Sequence, residues 1–240
     1  AGFGCTKPGQ PADSWKGYHY GTACSPDGIH WHGYDDITMQ VYARADTLNN
    51  VVYDKDSKEY MIFTRIDCVY PPFVDGPSLT NCSHDGQGIR RSARSTSKTF
   101  GAGSSWSKAT DCSTGAQGDE QYYLTPFRED DWAAGLYLGF ASYLKPSGMV
   151  PDELLASTDY GTSWTRLNRG TNFVPFGQLL PMDDGNSIPG WDSHGIYLGP
   201  PVPDPHDPER MLLYYRGSDG PHGDGHSRIG LAYSPRIPAG

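Results

Sequence analysis

Leu154-Leu155-Ala156-Ser157-Thr158-Asp159-Tyr160-Gly161-Thr162-Ser163-Trp164 decides how the chain is read. A strand-like run enters it, a small polar turn follows, and a tryptophan closes it. Within S-x-D-x-G-x-x-W each residue type suits a tight turn. Asp159 can accept backbone N–H bonds, Gly161 can take positive φ, and Trp164 can pack between sheets. Weaker copies recur. They are Ser25-Pro26-Asp27-Gly28-Ile29-His30-Trp31, Ala93 to Phe100 followed by Trp106, and Leu231-Ala232-Tyr233-Ser234-Pro235. The aligned serines are Ser25, Ser95, Ser157 and Ser234. Their spacings are unequal and longer than the roughly 40–50 residues of WD40 or kelch repeats, as suits sheets that carry long loops. Small turns could recur by chance in a chain with 30 Gly. The strand-like runs before each serine argue against that.

This pattern resembles the Asp-box of sialidases and related β-propellers, which joins the third and fourth strands of a blade. The composition agrees. The 240 residues include 30 Gly, 20 Pro, 16 Tyr, 8 Phe and 6 Trp, and no window shows a long amphipathic helical period. Short apolar or alternating runs lie between turn clusters, which favours an all-β chain. The expected fold is a β-propeller of four-stranded antiparallel blades, with residues 1–240 as one domain.

The formal net charge is −9. That opposes a nucleic-acid backbone as partner, although local arginines can still serve an anionic substrate. No apolar stretch approaches the length of a membrane span. With no leader stretch and no initiating Met, the chain reads as a processed secreted or periplasmic protein. Five cysteines (Cys5, Cys24, Cys68, Cys82, Cys112) show no C-x-x-C zinc pattern. Cys68 and Cys82 bracket a Pro- and Gly-rich loop and form the first expected disulfide; Cys5–Cys24 is the second. Disulfides fit an oxidising compartment.

Taken in order, Asn50–Asp54 reads as an inner strand, residues 55–58 as a charged turn and Glu59–Arg65 as a second strand. Arg90–Ser95 is the third, and Trp106 marks the fourth. A next blade starts near Asp119-Glu120-Gln121-Tyr122-Tyr123, continues through 135–141 and ends around the clear Asp-box. The last starts near Trp191, with Arg210–Arg216 and Ser227–Tyr233 as its following strands.

The starts of inner strands carry acids: Asp46 beside Asn49, Asp119 and Glu120, and Asp192 with His194. Converging carboxylates suit glycoside hydrolysis, which needs a proton donor for the leaving oxygen and a carboxylate to activate water or attack carbon. The plain alternatives are a turn cap at Asp46 and a solvated acidic loop at 119–120.

Several motifs together carry a broader likeness. These are Ser25-Pro-Asp-Gly-Ile-His-Trp31, Asp46-Thr47-x-Asn49, Asp192-Ser193-x-x-Ile196-Tyr197-x-Gly199-Pro200, Tyr214-Tyr215-Arg216-Gly217-Ser218 and Arg228-Ile229-Gly230-Leu231-Ala232. Over roughly residues 20–235 the chain resembles five-bladed glycosyl-hydrolase-like propellers. Their relatives are the invertase/levanase, arabinanase/xylosidase and neoagarobiose-hydrolase families. The resemblance implies a glycoside hydrolase with a general-base Asp in the first blade, a stabilising Asp in the second and a general-acid Glu in the third. Asp46 matches the second. Glu120 matches the third, with Asp119 as its rival. The first has no counterpart here. In the neoagarobiose-hydrolase group a His serves as acid, and His194 takes that place. A sialidase is disfavoured, because F-R-I-P and a recognisable Arg triad are missing.

Substrate contacts are expected from Asn49, Arg65, Tyr122, Arg216 and His222. Arg65 and Arg216 end second strands, and a planar guanidinium binds hydroxyls, carboxylate or sulfate; a surface ion pair is the plain alternative. His222 and His226 flank Asp224 in a Gly-rich loop, too loose a pattern to specify a metal. Tyr122, Tyr123 and Tyr197 can stack on sugars or simply fill the core. No cofactor is expected, and a structural ion such as calcium remains compatible with the sequence. The expected partner is a carbohydrate. A silent sugar-binding propeller is the alternative, as is a polysaccharide lyase whose Tyr, His and Arg abstract a proton beside a uronate.

Overall fold

The computed structural model describes residues 19–20, 23–27, 29–33, 39–40, 48–66, 91–100, 104–112, 120–129, 132–178, 180–182 and 186–236. For 19–20, 23–24, 32–33, 39–40, 66, 120–122, 180 and 187 only the backbone is described. Every regular element among them is a β-strand, and no helix is long and apolar enough to cross a membrane. The chain forms two compact units, Ala1–Cys112 and Ser113–Gly240. The fold is all-β and of propeller type, built on four-stranded antiparallel sheets.

In the first unit, β1 (His19–Tyr20), β4 (Met39–Gln40) and β8 (Ser104–Ser105) form a small sheet, and β2 (Ala23–Cys24) pairs with β3 (His32–Gly33). The shortened Asp-box is the turn between β2 and β3. Asp27 Oδ1 accepts the amides of Ile29 and His30 at 2.9 and 2.8 Å. The His30 ring and these amides hold the Asp27 carboxyl well below its usual range. The full blade is β5 (Asn50–Asp54), β6 (Glu59–Ile66), β7 (Arg91–Ser97) and β9 (Thr110–Asp111), in that order. The fourth strand therefore follows Trp106 rather than containing it. Ser97, not Ser95, ends the third strand and accepts the Thr99 amide at 3.2 Å, so it is the serine in the Asp-box position. Cys112 is buried, with Sγ 3.5 Å from the Ser92 carbonyl. The two expected disulfides lie outside the described side chains.

The second unit opens with β10 (Glu120–Phe127), β11 (Tyr137–Leu144), β12 (Asp152–Ser157) and β13 (Thr165–Arg166). The Asp-box joins β12 to β13 as expected. Ser157 Oγ accepts the Gly161 amide at 2.9 Å and donates to Asp159 at 2.8 Å; Asp159 accepts the Ser163 amide at 2.9 Å. Tyr160 and Gly161 both have positive φ (59° and 73°), which reverses the chain within two residues. Trp164 then folds back, donates Nε1–H to the Gly161 carbonyl and lies against Gly139 of β11. Under the blade, buried Glu153 takes a two-pronged bond from Arg166, both arms 2.6 Å. Arg166 also stacks over Tyr143 at 4.2 Å.

After the hairpin of β14 (Leu180–Pro181) and β15 (Ser187–Ile188), β16 (Gly195–Leu198) and β17 (Val202–Asp204) pair along one edge of the long β18 (Asp207–Ser218). β19 (Ser227–Pro235) pairs along the other. Gly199-Pro200-Pro201 interrupts the inner row, because proline lacks the donor a ladder needs. No fourth row is seen among the described residues of this sheet. β16 is tied to the preceding blade through Val150, which pairs with Gly195 in parallel, and through Asp152, whose Oδ2 accepts the Leu198 amide at 2.6 Å. Phe140, Ile196, Leu198, Leu213 and Tyr215 fill the core between these sheets.

Candidate functional site

Strand alternation sorts the last sheet into two faces. β16 pairs with β18 so that Tyr197 lies opposite Arg216 and Gly195 opposite Ser218. These four share one face. Tyr215 and Gly217 point to the other.

On the first face, a cavity of about 130 Å³ is lined by Tyr197, Arg216, Ser218, His222 and Asp224, with Val150 and loop glycines completing it. Tyr197 is buried against Tyr123 and Val150. Its hydroxyl shares a 2.9 Å hydrogen bond with His222 Nδ1. The Arg216 guanidinium lies over its ring at 5.2 Å. Arg216 Nε and Nη2 both donate to Ser227 Oγ, at 3.0 and 2.9 Å, so the fork is held flat.

The rim is the loop Gly220-Pro221-His222-Gly223-Asp224-Gly225-His226. His222 N–H donates to the Gly148 carbonyl, which ties the loop to the β11–β12 connection. A Cβ on Gly148 would come within 2.8 Å of Pro221, so only glycine lets the two loops meet this closely. Asp224 Oδ1 accepts the Gly225 amide, and His226 N–H donates to Asp219. A planar cation, an imidazole, a phenol and a carboxylate thus share one small concavity. Together they can bind hydroxyls or an anion and can move a proton.

On the opposite face, Asp192 is buried. Its Oδ2 accepts the Tyr215 hydroxyl at 2.7 Å, and its backbone carbonyl accepts the Gly177 amide. Burial and this bond push the Tyr215 phenol up to about 12. Trp191 stacks on Tyr215, and a Cβ on Gly217 would meet both Trp191 and Asp192 at 2.5 Å. The structure thus separates Asp192 from Arg216 and His222 by the thickness of a sheet. His194 is partly buried; its Nδ1 lies 2.9 Å from Ser193 Oγ and its backbone bonds Val150 and Ser218. It is not among the residues lining the cavity.

Glu120 begins β10 opposite Leu144, and Tyr122 is skipped in the register between Gln121 and Tyr123. Such a bulge re-aims local side chains, but the side chains of Glu120 and Tyr122 are outside the described set. Asp46 and Asp119 lie outside the described residues altogether. In the first unit, Asn49 Oδ1 accepts the Thr64 hydroxyl at 2.7 Å, and Arg65 is buried on β6 opposite Ser92. Among the described residues no group of three His, Cys, Asp or Glu is arranged to hold a metal. Ser218 and Asp224 were not expected at a substrate site. In sequence, Ser218 closes the Tyr214–Ser218 motif and Asp224 sits within a loop dense in Gly, His and Asp.

No protein-family profile matches the sequence, and no curated protein does. Solved structures do. An N-acetylgalactosamine deacetylase from F. plautii, in complex with blood group B trisaccharide, superposes with a TM-score of 0.52 at 14% identity over 91% of this chain and 62% of that one. Zg3597, a family 117 glycoside hydrolase from Zobellia galactanivorans, reaches 0.46 at 14% identity, over 78% of this chain and 50% of that one. An endo-arabinase from Bacteroides thetaiotaomicron reaches 0.41 at 13%, over 82% and 78%. The chain thus spans less than two thirds of the first two. At 14% identity the likeness to the first of these is one of fold alone.

Proposed function

We propose that the protein is carbohydrate-active and hydrolyses a glycosidic bond of a poly- or oligosaccharide, with the cavity of the last sheet as a sugar subsite. The observation that carries this is the clustering of Tyr197, Arg216, His222 and Asp224 around one concavity. In this reading His222 donates a proton and Asp224 accepts one, the two roles glycoside cleavage requires. The motif likeness, and a shared fold with a protein solved in complex with a trisaccharide, support a sugar as ligand. Asp46 and Glu120, the acids expected from the sequence, are tested beside His222 and Asp224; Asp192 packs under Tyr215 on the opposite face and serves as the control.

The test is turnover of a panel of plant and algal polysaccharides by the wild type, by His222→Ala and Asp224→Asn, and by Asp46→Asn, Glu120→Gln and Asp192→Asn. Loss of reducing-end release by 100-fold or more in His222→Ala and Asp224→Asn, with folding intact, is expected. Sugar binding without turnover of any substrate would leave a silent binding module and remove the hydrolase.

A second reading has its own support. Tyr197, His222 and Arg216 are the three residue types of an eliminating lyase, and they meet here. In that reaction a base removes the C5 proton of a uronate, the C4–O bond breaks as C4=C5 forms, and the leaving oxygen takes a proton. Unsaturated product, seen by ultraviolet absorbance without net addition of water, would select it over hydrolysis.

A further inference from the structure

We propose that the cavity of the last sheet recognises a charged sugar, one bearing a carboxylate or sulfate, and that Arg216 is the residue that takes the anionic group. The inference rests on the saccharide reading above and narrows its substrate class.

Its place in the cavity and the way it is held there carry it, and four other arginines show the alternative. Arg91 pairs with Asp111, Arg166 with Glu153, Arg210 with Asp204 and Arg236 with Glu129. Acids are plentiful in this chain of net charge −9. Yet Arg216 has no carboxylate within ion-pair distance among the described residues. It is held by a neutral hydroxyl, Ser227 Oγ, and by the face of Tyr197. Both contacts orient a guanidinium without neutralising it. Ser227 takes Nε and one arm of Nη2. Nη1 and the outer hydrogen of Nη2 are the pair that forks end-on onto a carboxylate or sulfate. Because Arg216 lines the cavity, its positive charge is offered there.

Asp224 lines the same cavity and makes no ion pair with Arg216. Its Oδ1 accepts the Gly225 amide. A second carboxylate opposes a compact, highly charged anion such as free phosphate, but it accepts a sugar hydroxyl well. Ser218 and His222 add further polar contacts around it. A fork for one negative charge, beside acceptors for hydroxyls, matches a sugar acid or sugar sulfate better than either a neutral sugar or a bare anion.

Calorimetric titration tests this with the full chain. The ligands are glucuronate, galacturonate and galactose 6-sulfate, their neutral parents glucose and galactose, and inorganic sulfate. At least one charged sugar is expected to bind tenfold or more tighter than its neutral parent. That preference should vanish in Arg216→Gln and shrink in Arg216→Lys, which keeps the charge but not the fork. In case Arg216→Gln misfolds, a salt series on the wild type gives a second readout: charged-sugar affinity should fall as ionic strength rises. Equal binding of charged and neutral sugars, or salt-independent binding, overturns the inference and leaves the saccharide reading standing. Sulfate binding as tightly as the charged sugars, or no binding by any ligand, overturns both.

Discussion

Asp152 is fully buried at the start of β12, where it reaches across to the Leu198 amide of the neighbouring sheet. Burial pushes its carboxyl from 3.8 up to about 7, although the Ser142 hydroxyl and the Leu198 amide favour the charged form. The unfolded chain has already released this proton near pH 4. Between pH 4 and 7 the folded protein therefore holds a proton that the unfolded chain lacks, and stability falls as pH rises through that window. A displacement of three pK units corresponds to about 4 kcal/mol, an upper value because a buried site relaxes on ionising. Asp152→Asn keeps an oxygen for the Leu198 amide and removes the charge. The variant should gain roughly 3–4 kcal/mol on the wild type between pH 4 and 8, mostly below pH 7. Urea unfolding followed by tryptophan fluorescence at pH 4, 6 and 8 measures this. Infrared difference spectra should show a protonated carboxyl band that titrates near pH 7 in the wild type and is missing from the variant. Parallel pH profiles for the two proteins, or no such band, would refute the reasoning.

Glu153→Ala strands the Arg166 guanidinium, whose side chain is only 7% exposed; a loss of about 3–5 kcal/mol is expected in urea unfolding. Tyr215→Phe leaves the buried Asp192 carboxylate without its hydroxyl donor and should cost about 1–3 kcal/mol, read by thermal denaturation. Asp159→Ala removes acceptors for Ser157 and for both Ser163 donors, a loss of about 1–2 kcal/mol. Burial alone would raise the Asp159 carboxyl, but the Ser163 and Ser157 bonds win and lower it. Its contribution should therefore be complete above pH 4 and disappear as pH falls below that, which acid unfolding of wild type against Asp159→Ala checks. Tyr197→Phe removes the hydroxyl that meets His222 Nδ1 at 2.9 Å and should lower turnover while leaving the fold intact by circular dichroism.

The fold was legible because its signals are local. Asn50–Asp54 alternates, a charged turn follows, and Ser157 to Trp164 can satisfy its own polar groups only as a tight reversal. The main strands of the two full blades therefore lie near their expected places, whereas the β14–β15 hairpin and β17 had no expectation to match. The degenerate copy was misaligned by two residues, since Ser95 and Ser97 are equally good turn residues in sequence and only the strand register tells them apart. Asp192 and His194 looked like neighbours of the site because they precede an inner strand, and sequence proximity says nothing about which face a side chain takes.

The sequence by itself determined an all-β chain of repeated antiparallel units closed by Asp-box turns, because period-two patterning and turn chemistry depend on residues a few positions apart. Only the tertiary structure decided that Tyr197, Arg216, His222 and Asp224 meet on one face while Asp192 packs under Tyr215 on the other. That partition depends on how β16 registers against β18 and on how closely the Gly148 and Pro221 loops approach. Pairing between strands far apart in the chain, not the pattern within any one of them, fixes both.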